Sequence, residues 1–251
     1  MNQVPWHRHR GLRGIVLMFL AVVGGGWLVQ IFADPTALAA RPLLPPSWSH
    51  LFGTNGQGQD VLLRTLAGGA MTLSIALVVA GLVVSFGTLV GIVAAMQSGL
   101  VARLLEFGIS VTLVIPGLPL MIVIAAYAPP GPLSMIFTLS LTGWAWTARV
   151  MKAQTLSLRE RDFVLASRLA GEPIWRITLF DIVPNLLPIM AAAFIGASTY
   201  AMMAQVGLEY LGLGDLSMVT WGTNLYWAQN DGALLTGAWW TYVPSGIGLA
   251  L

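Results

Sequence analysis

Long runs of apolar residues constrain this chain more than any other feature of its sequence. Five of them lie at about 15–32, 71–96, 104–127, 133–150 and 186–206, and each matches the roughly 20 residues that a helix needs to cross a bilayer. The chain is 57% hydrophobic and 9% charged, whereas soluble domains carry about 25% charged residues. Because every backbone polar group must be paired inside lipid, these runs predict an all-α membrane protein.

A sixth apolar run begins near Trp239 and reaches the last residue of the sequence, Leu251. The segment 239–251 is too short to cross a bilayer. We therefore expect six spans in a single transmembrane domain, 1–251, whose last span is incomplete.

The first run could instead belong to a cleaved signal peptide, because Ala37-Leu38-Ala39 follows it. The run at 15–32 is longer than the 7–15 residues of a signal-peptide core, and further spans follow. We favour an uncleaved first helix.

Basic residues indicate the orientation of the chain in the membrane, because they concentrate on the cytoplasmic side. With a cytoplasmic N-terminus, ten of the twelve Lys and Arg residues fall inside and only Arg41 and Arg64 fall outside. The sequence thus predicts a multi-pass membrane protein with 151–185 in the cytoplasm. The segments 34–66 and 207–238 would lie outside.

The composition also excludes several kinds of chemistry. The chain has no Cys, which excludes disulfides and thiolate metal sites. The sole Lys, Lys152, follows Met151, so a Gly-Lys-Ser/Thr phosphate loop is absent. The basic residues form no patch typical of nucleic-acid binding. We expect no catalytic residue, no metal site and no cofactor in this chain.

Two other classes of membrane protein are less favoured by the sequence. An ion-coupled secondary transporter would need coupling-ion sites near the middle of the membrane, and no acidic residue lies in the middle of a predicted span. A membrane-embedded hydrolase would need His, Asp or Glu side chains facing one another within the bundle. The three His residues all lie outside the predicted spans.

The segment 157–184 is charged and helix-forming, and it lies in the predicted cytoplasmic region. Ser157 and Glu160 form a capping-box pattern, which predicts a helix ending near Gly171, a typical left-handed stop. Pro173 suits the first turn of a second helix. The apolar face of the first helix would comprise Phe163, Ala166, Leu169 and Ala170. Periodicity alone fits both docking into a protein groove and lying on a lipid surface.

Three motifs resemble permease subunits of ABC importers. In the cytoplasmic segment, Ala166, Gly171 and Pro184 match the spacing of that family's Glu-Ala-Ala…Gly…Ile-x-Leu-Pro motif, with Leu165 and Asp181 replacing Glu and Ile. Residues 51–60, LFGTNGQGQD, resemble an LFGTDxxGRD segment, with Asn55 for Asp and Gln59 for Arg. Residues 210–222 resemble an FLGLG…WG segment.

The three motifs together resemble the dipeptide/oligopeptide/nickel branch, in the order of its second, C-type permease, over about residues 15–251. The resemblance implies a six-span permease fold with a cytoplasmic coupling helix. It also implies a second permease subunit, two ABC ATPases that bind ATP and Mg, and an extracytoplasmic solute-binding protein. The chain would form half of the pathway for a peptide or an oligosaccharide, and a nickel or metal-chelate permease is the alternative.

The resemblance and the helix pattern together give two sets of candidate site residues. The predicted contacts with an ATPase are Phe163, Ala166, Ser167, Arg168, Gly171, Glu172 and Pro173. The predicted contacts with a binding protein or substrate are Glu209, Tyr210, Trp221 and Trp227. For the second set, an aromatic belt at the membrane surface is the alternative interpretation.

Overall fold

The computed structural model describes residues 22–250, and its regular structure is helical. Within these residues the sole β pairing is an isolated bridge between Thr54 and Asp60. The predicted all-α class is confirmed. The helices fall into two compact units, one formed by the described residues up to Ser74 with those from Gln205 onward, the other by Ile75–Ala204.

Ten α-helices are described. They are α1 (Val22–Phe32), α2 (Val61–Met96), α3 (Gly99–Val114), α4 (Gly117–Tyr127), α5 (Pro132–Arg159), α6 (Asp162–Leu169), α7 (Ile174–Arg176), α8 (Val183–Tyr210), α9 (Trp221–Asn230) and α10 (Val243–Ala250). A π-helix, Ile177–Ile182, joins α7 to α8, and a short 3₁₀-helix, Trp239–Thr241, precedes α10.

Two of the helices described in residues 22–250 are long and apolar enough to cross a membrane, and a third span results if α3 and α4 are counted together. The two are α2 and the continuous helix Ile174–Tyr210, which contain the predicted runs 71–96 and 186–206. The run 133–150 lies within α5. Residues 15–21 of the first run and Leu251 lie outside the described residues, so the count of six spans stays a prediction.

The run predicted as one span, 104–127, is instead two helices that meet at 88°. Proline explains the break. Pro116 has no N–H to donate to the carbonyl of Thr112, and Pro119 has none for Ile115. A proline also disfavours the helical conformation of the residue before it, and Ile115 is extended, with ψ of 127°. The prolines therefore interrupt the helix completely.

Close packing of α2 against α5 organises the unit Ile75–Ala204. A Cβ atom at Gly91 would lie 2.6 Å from the carbonyl oxygen of Ala148, so glycine permits the helices to approach each other there. Nearby, Glu106 forms an ion pair with Lys152. Arg103 lies only one turn from Glu106 on α3, but the packing of α5 supplies the partner of this carboxylate.

Candidate functional site

The coupling region, residues 151–185, begins differently from the prediction. Helix α5 continues to Arg159, so Ser157 lies inside it and does not start a new helix. Neither Gly nor Pro interrupts 151–159, and most residues there favour helix. Helix α6 starts at Asp162, preceded by Arg161 without a side-chain cap. The capping-box prediction was therefore wrong about the start of the coupling helix by about one turn.

Helix α6 is held to its own chain by one buried side chain, Val164, which is fully buried in a cluster with Ile92, Ile177 and Ile182. The apolar face predicted from the sequence points elsewhere. Phe163 is 41% exposed and Leu169 is 90% exposed, and Ala166 and Ala170 are exposed too. The helix thus keeps an uncovered apolar surface.

The turn after α6 has the geometry that the sequence predicted. Gly171 has φ of +80°, a conformation that favours glycine. Its N–H donates to the carbonyl of Arg168 at 3.0 Å, and the N–H of Glu172 donates to that of Ser167 at 3.1 Å. These two bonds form a Schellman motif, which ends a helix by pairing its last carbonyls. The predicted left-handed stop at Gly171 is confirmed.

The second helix of the coupling region is the beginning of a much longer one. Pro173 occupies the N-cap position of α7 without a side-chain hydrogen bond, and the helix then continues without interruption through the π-helix into α8. Arg176 donates to both carboxylate oxygens of Glu172, at 2.5 and 2.6 Å, which closes the turn. Pro188 lies inside α8. The coupling turn is therefore attached directly to an apolar helix that is long enough to span.

In the other unit, Glu209 is at the centre of a buried cluster with Gly214, Thr220 and Gly222, here named the glycine clasp. Thr220 Oγ1 donates to Glu209 Oε2 at 2.6 Å, and Glu209 is 4% exposed. A Cβ atom at Gly222 would lie 2.3 Å from that same oxygen, and one at Gly214 would lie 2.8 Å from Glu209 Cγ. Both glycines leave the space that this carboxylate occupies.

Trp221 lies in the core beside the clasp and is 3% exposed. Its indole Nε1 donates to the carbonyl of Thr65 at 2.9 Å, and its backbone N–H donates to Thr72 Oγ1 at 3.0 Å. Trp227 is half-buried and donates to the carbonyl of Leu216 at 3.2 Å. Tyr210 is 42% exposed. Of the four residues predicted to meet a binding protein or substrate, Tyr210 is the most accessible.

The sequence did not single out Arg64, which joins two distant segments. Its side chain is 5% exposed, donates from Nε to Asn224 Oδ1 at 2.9 Å, and donates from Nη1 to Gln59 Oε1. Asn55 Nδ2 donates to that same Gln59 oxygen at 3.0 Å. The 51–60 motif departs from its family pattern at two residues, Asn55 and Gln59. These two departures were the feature of the sequence that could have pointed to the contacts of Arg64.

Asp231 places a carboxylate near Arg64 and its hydrogen-bond partners. A Cβ atom at Gly56 would lie 2.2 Å from Asp231 Cγ, so this glycine also makes room for a carboxylate. Burial raises the pKa of Asp231, while the Gly56 backbone N–H and the charge of Arg64 oppose the increase. Across residues 22–250, no group of three His, Cys, Asp or Glu could hold a metal ion.

An uncharged cavity of about 660 Å³ lies within the unit Ile75–Ala204. It is lined at the α3–α4 break by Thr112, Ile115 and Gly117, and by Trp146 of α5 and Tyr200 of α8. The cavity size is within the range of about 300–1,000 Å³ found for small-molecule sites.

Comparison with known proteins identifies what this chain resembles. A family model described as "binding-protein-dependent transport system inner membrane component" matches residues 87–249. The dipeptide transport system permease protein DppC of Bacillus subtilis is 30% identical over 90% of this chain and 70% of its own length. A permease protein of Brucella abortus, whose name refers to a peptide transport system, is 32% identical over 97% of this chain and 82% of its own.

Proposed function

Because this chain belongs to the family of binding-protein-dependent transport system inner membrane components, we propose that it is a permease subunit of an ATP-driven ABC importer of peptides. The similarity to the dipeptide permease of B. subtilis and the peptide permease of B. abortus supports peptides as the substrate class. These relatives do not favour the oligosaccharide and nickel alternatives.

The proposal includes partners that supply what this chain lacks. A solute-binding protein would deliver the peptide, and a second permease subunit would complete the pathway. Two ABC ATPases would bind ATP and Mg, since Lys152, the sole Lys, is outside any phosphate-loop sequence. The chain would lie in the inner membrane with its N-terminus in the cytoplasm, as the basic residues predict.

The observation that carries this function is the uncovered face of α6. Val164 fixes the helix to the chain, while Phe163 and Leu169 remain exposed. An amphipathic helix of this kind docks by its apolar face into a groove of a partner. The Gly171 turn then leads into the continuous helix Ile174–Tyr210. An ATPase holding α6 would therefore act directly on a membrane helix.

Photo-crosslinking can test this docking, because the chain contains no native Cys. A benzophenone maleimide would be attached to Leu169→Cys in the assembled transporter. We expect an adduct with the ATPase. Tyr127→Cys is the control, since Tyr127 is 89% exposed but predicted to lie near the other membrane surface. Equal crosslinking of the ATPase from both positions would contradict the proposal.

The contact of the 207–238 segment with a binding protein is part of the same proposal. Tyr210 is the accessible candidate, whereas Glu209 and Trp221 are buried and would support the surface from within. Tyr210→Ala should weaken stimulation of the ATPase by the loaded binding protein and leave basal hydrolysis unchanged. Unchanged stimulation would remove Tyr210 from the proposed contact.

A further inference from the structure

The interruption between α3 and α4 leaves more hydrogen-bond acceptors than donors. A helix end leaves its last carbonyls without intrahelical partners, and a helix start leaves its first N–H groups without them. Pro116 and Pro119 remove two of the N–H groups that would lie at this break and remove no carbonyl. Thr112 and Ile115, the residues four positions earlier, lose the donors that a continuous helix would provide, and both line the uncharged cavity.

The electrostatics of the cavity favour a cation. The C-terminal end of α3 carries a negative partial charge and the N-terminal end of α4 a positive one, so the two end dipoles oppose each other at the break and the surplus of acceptors decides the preference. None of the described residues that line the cavity carries a formal charge. Arg149, the cation next to a lining residue of α5, donates to Ser110 at 3.1 Å and is not among the lining residues.

Two aromatic side chains complete the site. Trp146 and Tyr200 line the same cavity, and aromatic rings attract cations. The hydroxyl of Tyr200 has one weak contact, with Met121 Sδ at 4.0 Å. It is thus available to accept a hydrogen bond from a bound ligand. The hydroxyl of Thr112 donates to the carbonyl of Gly108 at 2.9 Å, and both its oxygen and the backbone carbonyl of Thr112 can accept a hydrogen bond.

We propose that this cavity binds the protonated amino terminus of the transported peptide, through backbone carbonyls at the α3–α4 break and through Tyr200. The inference rests on the proposed function, because it takes the substrate to be a peptide. Carbonyl dipoles suit such a site better than a carboxylate, since a transport site must bind its substrate weakly enough to release it.

Uptake of two peptides distinguishes this site from a purely structural break. The complete transporter with its binding protein would be reconstituted in vesicles and given trialanine or N-acetyl-trialanine. The measured quantity is the ratio of the two uptake rates, compared between permease variants with the same binding protein. Any preference of the binding protein itself is then common to all variants.

Pro116→Ala restores a backbone N–H opposite the Thr112 carbonyl, and it should lower the preference for the free amino terminus by about tenfold, as expected for a lost hydrogen bond to a charged group. Tyr200→Phe preserves the helices and should lower the same ratio by about threefold. Pro188→Ala is the matched control, because Pro188 lies inside α8 and does not line the cavity; its ratio should equal that of the wild type.

If Pro116→Ala prevents assembly, Tyr200→Phe decides the question. A ratio unchanged in Tyr200→Phe, and in Pro116→Ala where it assembles, with trialanine still transported, would overturn the amino-terminus site and leave the proposed function standing. Failure of the assembled wild-type transporter to take up either peptide would overturn the proposed function and this inference with it.

Discussion

The glycine clasp and the coupling region use glycine for opposite reasons. In the clasp, a Cβ atom at Gly222 would lie 2.3 Å from the Glu209 carboxylate, whereas no atom lies within 4 Å of the Cβ position at Gly171. The first glycine is required by the space around it and the second by its backbone angle, φ of +80°. The difference separates a region whose glycine is enclosed by packed atoms from one whose surface this chain leaves uncovered.

The largest effect should come from filling the clasp. In Gly222→Ala the new methyl group meets Glu209 Oε2 at 2.3 Å and Val206 Cα at 3.0 Å, and overpacking of this kind costs about 3 kcal/mol of stability. Unfolding of the purified protein by denaturant would measure the loss. Gly207→Ala is the control, because that helical glycine has open space around it and alanine favours helix.

Removing the Glu209 side chain together with Gly222→Ala tests whether space alone requires the glycine in the clasp. The double variant Glu209→Ala/Gly222→Ala should lose less stability than the sum of the losses in the two single variants. The reason is that the carboxylate with which the new methyl group would clash is absent. Strict additivity would show that the glycine and the carboxylate do not share this space.

A smaller effect is expected at Gly171. Gly171→Val places a β-branched residue at positive φ, with a backbone cost of about 1–2 kcal/mol, and should reduce ATP-driven transport more than assembly. Gly171→Asn is the matched variant, since asparagine tolerates this conformation. Uptake by both, normalised to the assembled complex, provides the measurement. Equal loss in the two variants would mean that side-chain size, and not the backbone angle, matters at this turn.

Trp221→Phe should cost less again, about 1 kcal/mol, because it removes one buried indole N–H that donates to Thr65. Trp227→Phe should cost less than that, since its bond to Leu216 is longer and half-buried. Thermal unfolding would rank the two. If Trp221→Phe leaves unfolding unchanged but weakens stimulation by the binding protein, Trp221 acts in docking and not in packing.

The smallest effect concerns pH. Burial raises the pKa of Asp231, so the folded state binds more protons than the unfolded state between its ordinary pKa, about 4, and the raised value. Stability should therefore fall slightly as pH rises through this window, and Asp231→Asn should remove that slope. Asp34 has the opposite sign, because hydrogen bonds from Thr36 lower its pKa. Thermal unfolding of Asp231→Asn above about pH 4 and of Asp34→Asn below it should change the slope in opposite directions.

The sequence predicts what depends on local chemistry and misses what depends on distant segments. Apolar runs gave the helical class, and Gly171 marked its own turn because a left-handed stop is set by neighbouring residues. Glu209 and Trp221 were predicted to contact a binding protein or substrate, yet Thr220, Gly222 and Thr65 enclose them. The Lys152–Glu106 pair likewise depends on helix packing, which no periodicity reveals.

The π-helix Ile177–Ile182 gives the connection between α7 and α8 a discrete mechanical property. A π-turn holds one residue more than the α-turn that it replaces. If that extra residue moved along the helix by a turn, the residues it passed would rotate by about 100° and advance by about 1.5 Å relative to those that follow, without any backbone end being exposed. Between the Gly171 turn and α8 the chain thus holds a segment in which rotation and translation of the helix would be coupled.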